Sequence, residues 1–461
     1  MSTEPLSALL EIINTRTEEL KKLLTHNGVE FPSLDVAVPT EPTALNQEDR
    51  ATELSEVIVA AASQLINTVR DPKETIWENV TSMYMTTSLA FVVEVDIPEV
   101  LNEAPDNKLH VDDIAAAVNC NASHVARILR YLASRHVFKE IIPDVFSNNR
   151  ISSTLIKANG KNVAQLKENP LEKWSNSGVA AMAGVVGGEG IQWCSGLLEF
   201  LKTSGKAGLS PFNIAADTDK SLWEWYEEPQ NAWRSRRFAA LMQGRTSFTK
   251  EEIIQNAYEW ERLGSDDVVV DVGGSVGALT FAIAKKFPGP RFVLQDLPTV
   301  INRAKMFWRE NSPETVSSGR LTLQVHNFFD PQPVKGAAVY FMANVLHDWP
   351  DEKCLAILRN IREAAAPSSK LILLENGVAY ACEDPRDYGF TFERRGAPWP
   401  LIPNLGKGGG PALTAQDMQM LNLFNGEERN VRKLIQLGKE TGWKLVSIKT
   451  EILSAFVFSA I

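Results

Sequence analysis

The stretch that most limits what this chain can become is Val268 to Thr280, VVVDVGGSVGALT. An apolar run ends in an aspartate and then breaks into Gly273, Gly274 and Gly277, the pattern of a buried parallel strand entering a tight turn and a helix. Without a Cβ the chain can take positive φ there, and a flat ligand can lie against the main chain. A second strand, Arg291 to Leu294, leads to Asp296, roughly 20 residues beyond the glycines, where a βαβ unit sets a carboxylate against ribose hydroxyls. A nucleoside ligand follows. No GKS or GKT succeeds the glycines, which argues against a phosphate-cradling loop, and GGSVG stands where a dinucleotide fold shows GxGxxG.

Beyond the glycine turn, strands alternate with helices. LTLQVHNFFD reads as strand and loop, AAVYFMANVLHDWP as a strand running into a turn, and KLILLEN as another strand. Repeated βα units predict the α/β class, a doubly wound Rossmann-like parallel sheet with its ligand at the carboxyl ends of the strands. Asp271, Asp296, Asn327, His347 and Glu375 fall at or just past those ends and are predicted to converge on one crevice.

At 461 residues, 44% hydrophobic and 23% charged, the chain is long enough for two or three domains with sizeable cores. A net charge of −10 argues against nucleic acid as the main partner, because a phosphate backbone calls for a basic face. No apolar run approaches bilayer length, and MSTEPLSALLEII lacks the regions of a signal peptide, so a cytoplasmic location without membrane contact is expected. Cys120, Cys194, Cys354 and Cys382 are scattered without a CxxC pair, which predicts reduced thiols.

The chain divides in order. In residues 1–46, Leu6, Leu9, Leu10, Ile13, Leu20, Leu23 and Leu24 mark an amphipathic helix that stops near Gly28, followed by a linker with Pro32, Pro39 and Pro42. This helix needs something to lie against: it reads either as a peripheral arm or, in the favoured reading, as a segment that embraces the partner in a homodimer. Residues 47–160 read as helices and then a winged-helix pattern, whose second helix carries Arg127, Arg130 and Arg135. Asp112, Asp113, Glu140 and Asp144 surround those arginines, which favours packing or dimerisation over DNA contact. Residues 161–250 form a helical connector with a glycine-rich break at GVVGGEG and tryptophans 193, 223, 225 and 233, expected in the core. Phe238 and Met242, four apart, share one helix face and are placed to floor a pocket for an aromatic substrate. Residues 251–461 complete the sheet domain.

DVGGSVG, QDLP, HNFFDPQPV, NVLHDWPDEKCLAIL, KLILLEN and NGEERNVRKLIQLGKETGWKL occur in an order and spacing that resembles the S-adenosylmethionine-dependent O-methyltransferases of the plant caffeate and fungal polyketide type. The resemblance runs from about Trp77 to the C-terminus. It implies that the winged-helix half is a dimerisation domain and the chain a homodimer. It implies further that Gly273, Gly274 and Gly277 bend around the methionyl part of S-adenosyl-L-methionine, that Asp296 holds its ribose, and that Leu297 and Phe328 flank adenine. His347 would be the general base, bracketed by Glu375 and Glu428, with Phe238 and Met242 lining the acceptor site.

These residue types suit the chemistry. A phenol with a pKa near 10 is a poor nucleophile at neutral pH until a positioned base takes its proton, and a histidine near 6.5 with a carboxylate beside it can do so. No metal is needed, since the sulfonium is already activated and the remaining work is alignment.

Two positions depart from the family pattern. Asn327 replaces the acid that hydrogen-bonds the adenine amine, and its amide oxygen can still accept. Ala343 replaces a Lys or Arg four residues before the histidine, which removes a cation from the cofactor region. Residues 380–412, with Asp384, Arg386, Arg394 and Arg395, form a long Pro- and Gly-rich segment that reads as a lid or mobile loop. These departures keep a second class open, the fungal pericyclases that share the resemblance. They hold S-adenosylmethionine as a bound cation and catalyse dehydration, Alder-ene or hetero-Diels-Alder steps. A non-catalytic regulator that binds the cofactor is a third reading.

Overall fold

A computed structural model describes residues 3–37, 49–157, 160–170, 172–203, 209–248, 251–384, 396–409, 411–449 and 454–461. Arg386, Arg394 and Arg395 lie outside the described residues. The chain forms two compact units. One comprises Met1–Ser204, Pro211–Phe248 and Ala397–Gly410; the other comprises Gly205–Ser210, Thr249–Gly396 and Pro411–Ile461.

In the first unit the amphipathic helix Glu4–His26 pairs with the helix Asp49–Val69. Leu20 and Leu24 pack on Ala51 and Leu54, and Leu9 on Ala60 and Ala61, so the two helices run antiparallel and bury the apolar stripe inside one chain. Leu401 and Leu405 join that cluster, and Pro400 accepts a hydrogen bond from Gln64. The stretch Ala397–Gly410 therefore groups with these helices and not with the 251–461 domain in which the sequence reading placed it. A single residue pattern explains the fit: Gly408 has no side chain where a Cβ would meet the Glu56 carbonyl at 2.1 Å.

The winged-helix pattern is present as the helices Val111–Val118 and Ala122–Ala133 with strands β2 (Lys139–Ile142) and β3 (Val145–Ser147). A third strand, β1 (Lys108–His110), escaped the sequence reading because it is only three residues long; it completes an antiparallel sheet of order β1-β3-β2. Arg130 pairs with Glu140 at 2.7 Å and Asp144 at 2.8 Å, so its charge is answered by the acids that the sequence places around it.

The second unit is built on strands β4 (Val268–Val272), β5 (Arg291–Asp296), β6 (Leu321–Val325), β7 (Val339–Ala343), β8 (Lys370–Glu375), β9 (Trp443–Lys449) and β10 (Ser454–Ala460). Their order is β6-β5-β4-β7-β8-β10-β9. β4 to β8 pair in parallel, and β10 runs antiparallel between β8 and β9. The sheet is thus mostly parallel, with one reversed strand that the repeated βα pattern did not foretell. Continuous apolar runs such as VVV and LILL are buried because helices cover both faces. With β4 central and β5 and β7 beside it, the topology reverses direction at β4, and ligands of such sheets bind at that point.

Candidate active site

The turn after β4 is shaped by its own packing. Gly273 and Gly274 donate their N–H groups to the Gln295 carbonyl at 2.9 and 3.1 Å, and Gly273, Ser275 and Gly277 all take positive φ. A Cβ on Gly274 would fall 2.3 Å from the Asp271 carboxyl carbon, and one on Gly277 would fall 2.7 Å from Trp308 Nε1. Only Gly273 faces the side chains of the strand-end loops, with Val345 at 3.1 Å and Phe328 at 3.5 Å from its virtual Cβ. Asp271 is buried beneath this turn and accepts the Thr280 hydroxyl at 2.5 Å. Burial, opposed by that hydrogen bond, pushes its pKa up to about 7.

Asp296 closes β5 and ties it to the glycine turn. One carboxylate oxygen accepts from Ser275 N–H at 2.8 Å and the other from Leu297 N–H at 2.7 Å. Burial raises its pKa against those two bonds. Each oxygen keeps a second acceptor position, which is what a pair of ribose hydroxyls requires. Leu297 is exposed, and Phe328 stands edge-on to Phe329 and Trp349, so both offer apolar surface at the strand ends. Asn327 is exposed and its amide oxygen accepts from Phe329 N–H at 3.1 Å, so one of its two acceptor positions is already taken by a local turn. The glycine cradle, the acid at its rim and the flanking apolar side chains fit the methionyl, ribose and adenine parts of the expected cofactor.

His347 sits in a short helical turn, Leu346–Asp348, beyond β7, and is buried. Its Nδ1 lies 2.8 Å from Glu428 Oε1 and its Nε2 3.4 Å from Asp348 Oδ1. Glu375, at the end of β8, accepts from the Val345 and Leu346 N–H groups at 3.2 and 2.9 Å through Oε1, so it holds the loop that carries the histidine. His347, Glu375 and Glu428 each bring one donor atom within 4.8 Å of the others. The structure therefore brings these three predicted residues together. Burial opposes a charge on His347, but Asp348, Glu428 and Glu375 together outweigh it and raise its pKa to about 9. Burial raises Glu375 to about 7, with Glu428 adding to the shift and His347 opposing it. The second oxygens of Glu375 and Glu428 are buried without a partner among the described residues.

Several residues that shape this site were missed in the sequence. Asn376 donates to Glu428 Oε1 at 3.1 Å, and Arg429 donates to the Leu346 and Trp349 carbonyls while pairing with Asp351 at 2.8 Å. Gly426 is required because a Cβ there would meet the His347 carbonyl at 2.1 Å. Their signal is the run NGEER, in which a glycine precedes the acid that reaches the histidine. Asn344, between Ala343 and the histidine turn, takes positive φ and buries an amide oxygen that has no partner among the described residues.

Phe238 and Met242 belong to the first unit, on the helix Ala232–Phe248. Phe238 is buried against Tyr226 and Trp223, with ring centroids 5.0 and 5.7 Å away, and Met242 is half-buried. Of the four tryptophans expected in the core, Trp193 is buried, whereas Trp223 and Trp233 are exposed and Trp225 is half-buried. For Trp223 and Trp225 a short helix explains the difference, since the six-residue segment Leu222–Glu227 cannot bury both faces.

A mostly parallel sheet with a glycine turn, a strand-end acid and a buried histidine beyond them defines an α/β enzyme that binds a nucleoside cofactor. Residues 209–390 match the model of the O-methyltransferase domain, and residues 77–158 that of the O-methyltransferase dimerisation domain. The chain is 33% identical to an O-methyltransferase of Armillaria gallica, over 96% of this chain and 95% of that one. It is also 33% identical to 4-O-methyltransferase 1 of Phanerochaete chrysosporium, with the same shares covered. Among solved structures, the mitomycin 7-O-methyltransferase MmcR superposes with a TM-score of 0.64 at 23% identity, covering 84% of this chain and 98% of that one. The chain belongs to the S-adenosylmethionine-dependent O-methyltransferases.

Proposed function

We propose that this enzyme methylates a hydroxyl of a small aromatic or polyketide-like molecule of secondary metabolism, with His347 as the general base. The observation that carries the reading is the buried His347–Glu428 contact of 2.8 Å at Nδ1. A carboxylate there accepts a hydrogen bond from Nδ1–H, which leaves the Nε2 lone pair as the basic position.

Bound S-adenosylmethionine supplies a methyl group on a sulfonium. Gly273, Gly274 and Gly277 would hold its methionyl part, Asp296 its ribose, and Leu297, Phe328 and Asn327 its adenine. Glu375 fixes the histidine loop through the Val345 and Leu346 N–H groups, and Glu428 orients the ring. Phe238 and Met242 would line the acceptor. The proton of the acceptor hydroxyl passes to His347 Nε2, and the imidazolium is balanced by Glu428. A base near 9 is well matched to a phenol near 10, and turnover rises with pH as the imidazole becomes neutral. The match to a dimerisation domain supports a homodimer.

The test is to incubate the full-length protein with S-adenosylmethionine and a panel of phenols, and to follow products by mass spectrometry. Gain of one methyl group, lost in His347→Ala, is expected. A product of unchanged mass, or one that has lost water, formed while the cofactor stays intact, would replace methyl transfer by pericyclic chemistry.

A further inference from the structure

We infer that Arg237 is a positioning residue for acceptor binding, locking the helix Ala232–Phe248 in the one rotation that presents Phe238 and Met242. The inference rests on the reading that those two side chains line the acceptor. It accounts for the glycine-rich run GVVGGEG, which the proposed chemistry leaves unexplained.

Arg237 is 4% exposed, although it carries a full charge. Its Nη1 lies 2.9 Å from Glu94 Oε2, at the end of the helix Met83–Glu94, and its Nη2 lies 2.5 Å from Glu189 Oε2. The guanidinium also stands over the rings of Trp174 at 5.2 Å and Trp233 at 4.8 Å. Glu189 is buried in a π-helical turn, Val186–Gly190, that continues the helix Gly178–Val185. Such turns insert a residue and redirect side chains, often where function needs it. Here the redirected side chain is the acid that meets Arg237.

The glycines make the slot. A Cβ on Gly184 would lie 3.1 Å from Arg237 Nη1 and 3.3 Å from Trp174, and one on Gly188 would lie 3.6 Å from Arg237 Nη2. Gly187 lets the helix Met83–Glu94 approach, since its Cβ would meet the Thr86 carbonyl at 2.2 Å. A second anchor lies further along the same helix, where Gly244 crosses Gly178 so closely that a Cβ on either would fall 2.4 Å from the other's Cα. One fixed point lets a helix rotate or slide, but two points on one stripe remove both freedoms.

Phe238 follows Arg237 directly and so points to an adjacent face, where it meets Tyr226 and Trp223. Any rotation that freed the guanidinium would turn Phe238 and Met242 with it. Stability alone does not call for this arrangement, because a buried ion pair is commonly matched or surpassed by apolar residues of similar volume. What apolar residues lack is the planar fork, which reaches two carboxylates in fixed directions.

Three full-length variants test this. Arg237→Met leaves the buried Glu189 with Arg234 alone, at 3.4 Å, and takes away the partner of Glu94, so its melting temperature falls. The double variant Arg237→Met, Glu189→Met removes both buried charges and leaves only Arg234 and Glu94, whose side chains are partly exposed to water, so it is expected to regain the melting temperature. Its amides over residues 232–244 should nevertheless exchange about tenfold faster. Its KM for the phenol that the wild type methylates fastest should rise by about tenfold or more, with the calorimetric affinity for S-adenosylmethionine within about twofold. Arg237→Lys, which reaches one carboxylate at a time, should recover part of the KM. A double variant with wild-type exchange or wild-type KM would overturn the positioning role. Should the wild type methylate no phenol, the proposed function fails, and the exchange rates still decide whether Arg237 anchors the helix.

Discussion

Two buried clusters of charged groups show opposite designs. In the first unit, the Lys157 side chain is fully buried, with Nζ 2.8 Å from Asp96, 3.3 Å from Glu99 and 2.8 Å from the Val93 carbonyl, while Lys173 adds a second contact to Asp96 at 3.0 Å. Two cations meet two acids, and Trp174 stands over both ammonium groups. In the second unit, His347 meets Glu375, Glu428 and Asp348, and the guanidinium nearby, Arg429, is engaged by backbone carbonyls and Asp351. There the acids outnumber the cations, and against its burial they raise the pKa of His347, while Glu375 rises chiefly because it is buried. Balanced charge fixes a junction between helices. Unbalanced charge holds a proton inside the fold, which the proposed general-base chemistry would use.

The comparison breaks most easily at the histidine. His347→Ala is expected to lower methyl transfer by about 10²–10⁴-fold, the usual reach of general-base catalysis, with cofactor affinity by calorimetry little changed. A loss below about tenfold would remove the base from the site. On the other side, Lys157→Met leaves Asp96 and Glu99 buried without their central cation and should cost about 3–5 kcal/mol in denaturant unfolding. A neutral result would mean that the first cluster is no better balanced than the second. Glu428→Gln removes the carboxylate that orients the ring. It should reduce turnover less than His347→Ala and move the rising limb of the pH profile to lower pH, because one of the charges that raise His347 is gone.

How far the sequence carried this argument depends on the range of each contact. The glycine turn, the parallel strands and the strand-end acids were readable because each is written in a continuous run with its own periodicity. Once the strand order follows, β4, β5 and β7 bring Asp296 and His347 to one edge of the sheet. By contrast, the His347–Glu428 hydrogen bond spans 81 residues, and nothing in the local pattern of either residue announces it. Only the resemblance pointed there. Glu375 was named as a bracket for the imidazole, yet its described hydrogen bonds are to the backbone of the loop before it. The slot for Arg237 was visible as a glycine-rich break, but the reason for the break lies in a side chain some fifty residues further on, since Gly184 and Arg237 meet only in the fold.

The pH dependence of stability sharpens the contrast further. His347 rises from 6.5 to about 9, so its charge stabilises the folded chain fully below its unfolded value and that contribution is lost as pH climbs through about 9. Glu375 and Asp271 rise from 4.5 and 3.8 to about 7, so both bind protons more tightly when folded and also lose stability as pH rises from about 4 through 7. All three lie in the second unit. Its unfolding transition should therefore move to lower temperature between about pH 6 and about pH 9, and a flat profile would contradict the unbalanced cluster.

The smallest effect isolates Glu375. Glutamine at this position keeps an oxygen to accept from the Val345 and Leu346 N–H groups, so the histidine loop stays held. Its amide nitrogen replaces the buried carboxyl oxygen that has no partner among the described residues. Near pH 6 the wild-type carboxyl is mostly protonated, and Glu375→Gln should change unfolding free energy little. Well above pH 7 the wild type must ionise a carboxyl inside the core while the variant does not, so the variant should become the more stable by about 1–3 kcal/mol. Lys157→Met, which changes a cluster in the other unit, should show no such crossing. If Glu375→Gln destabilises equally at both pH values, Glu375 is an ionised and satisfied carboxylate throughout, and the difference between the two clusters disappears.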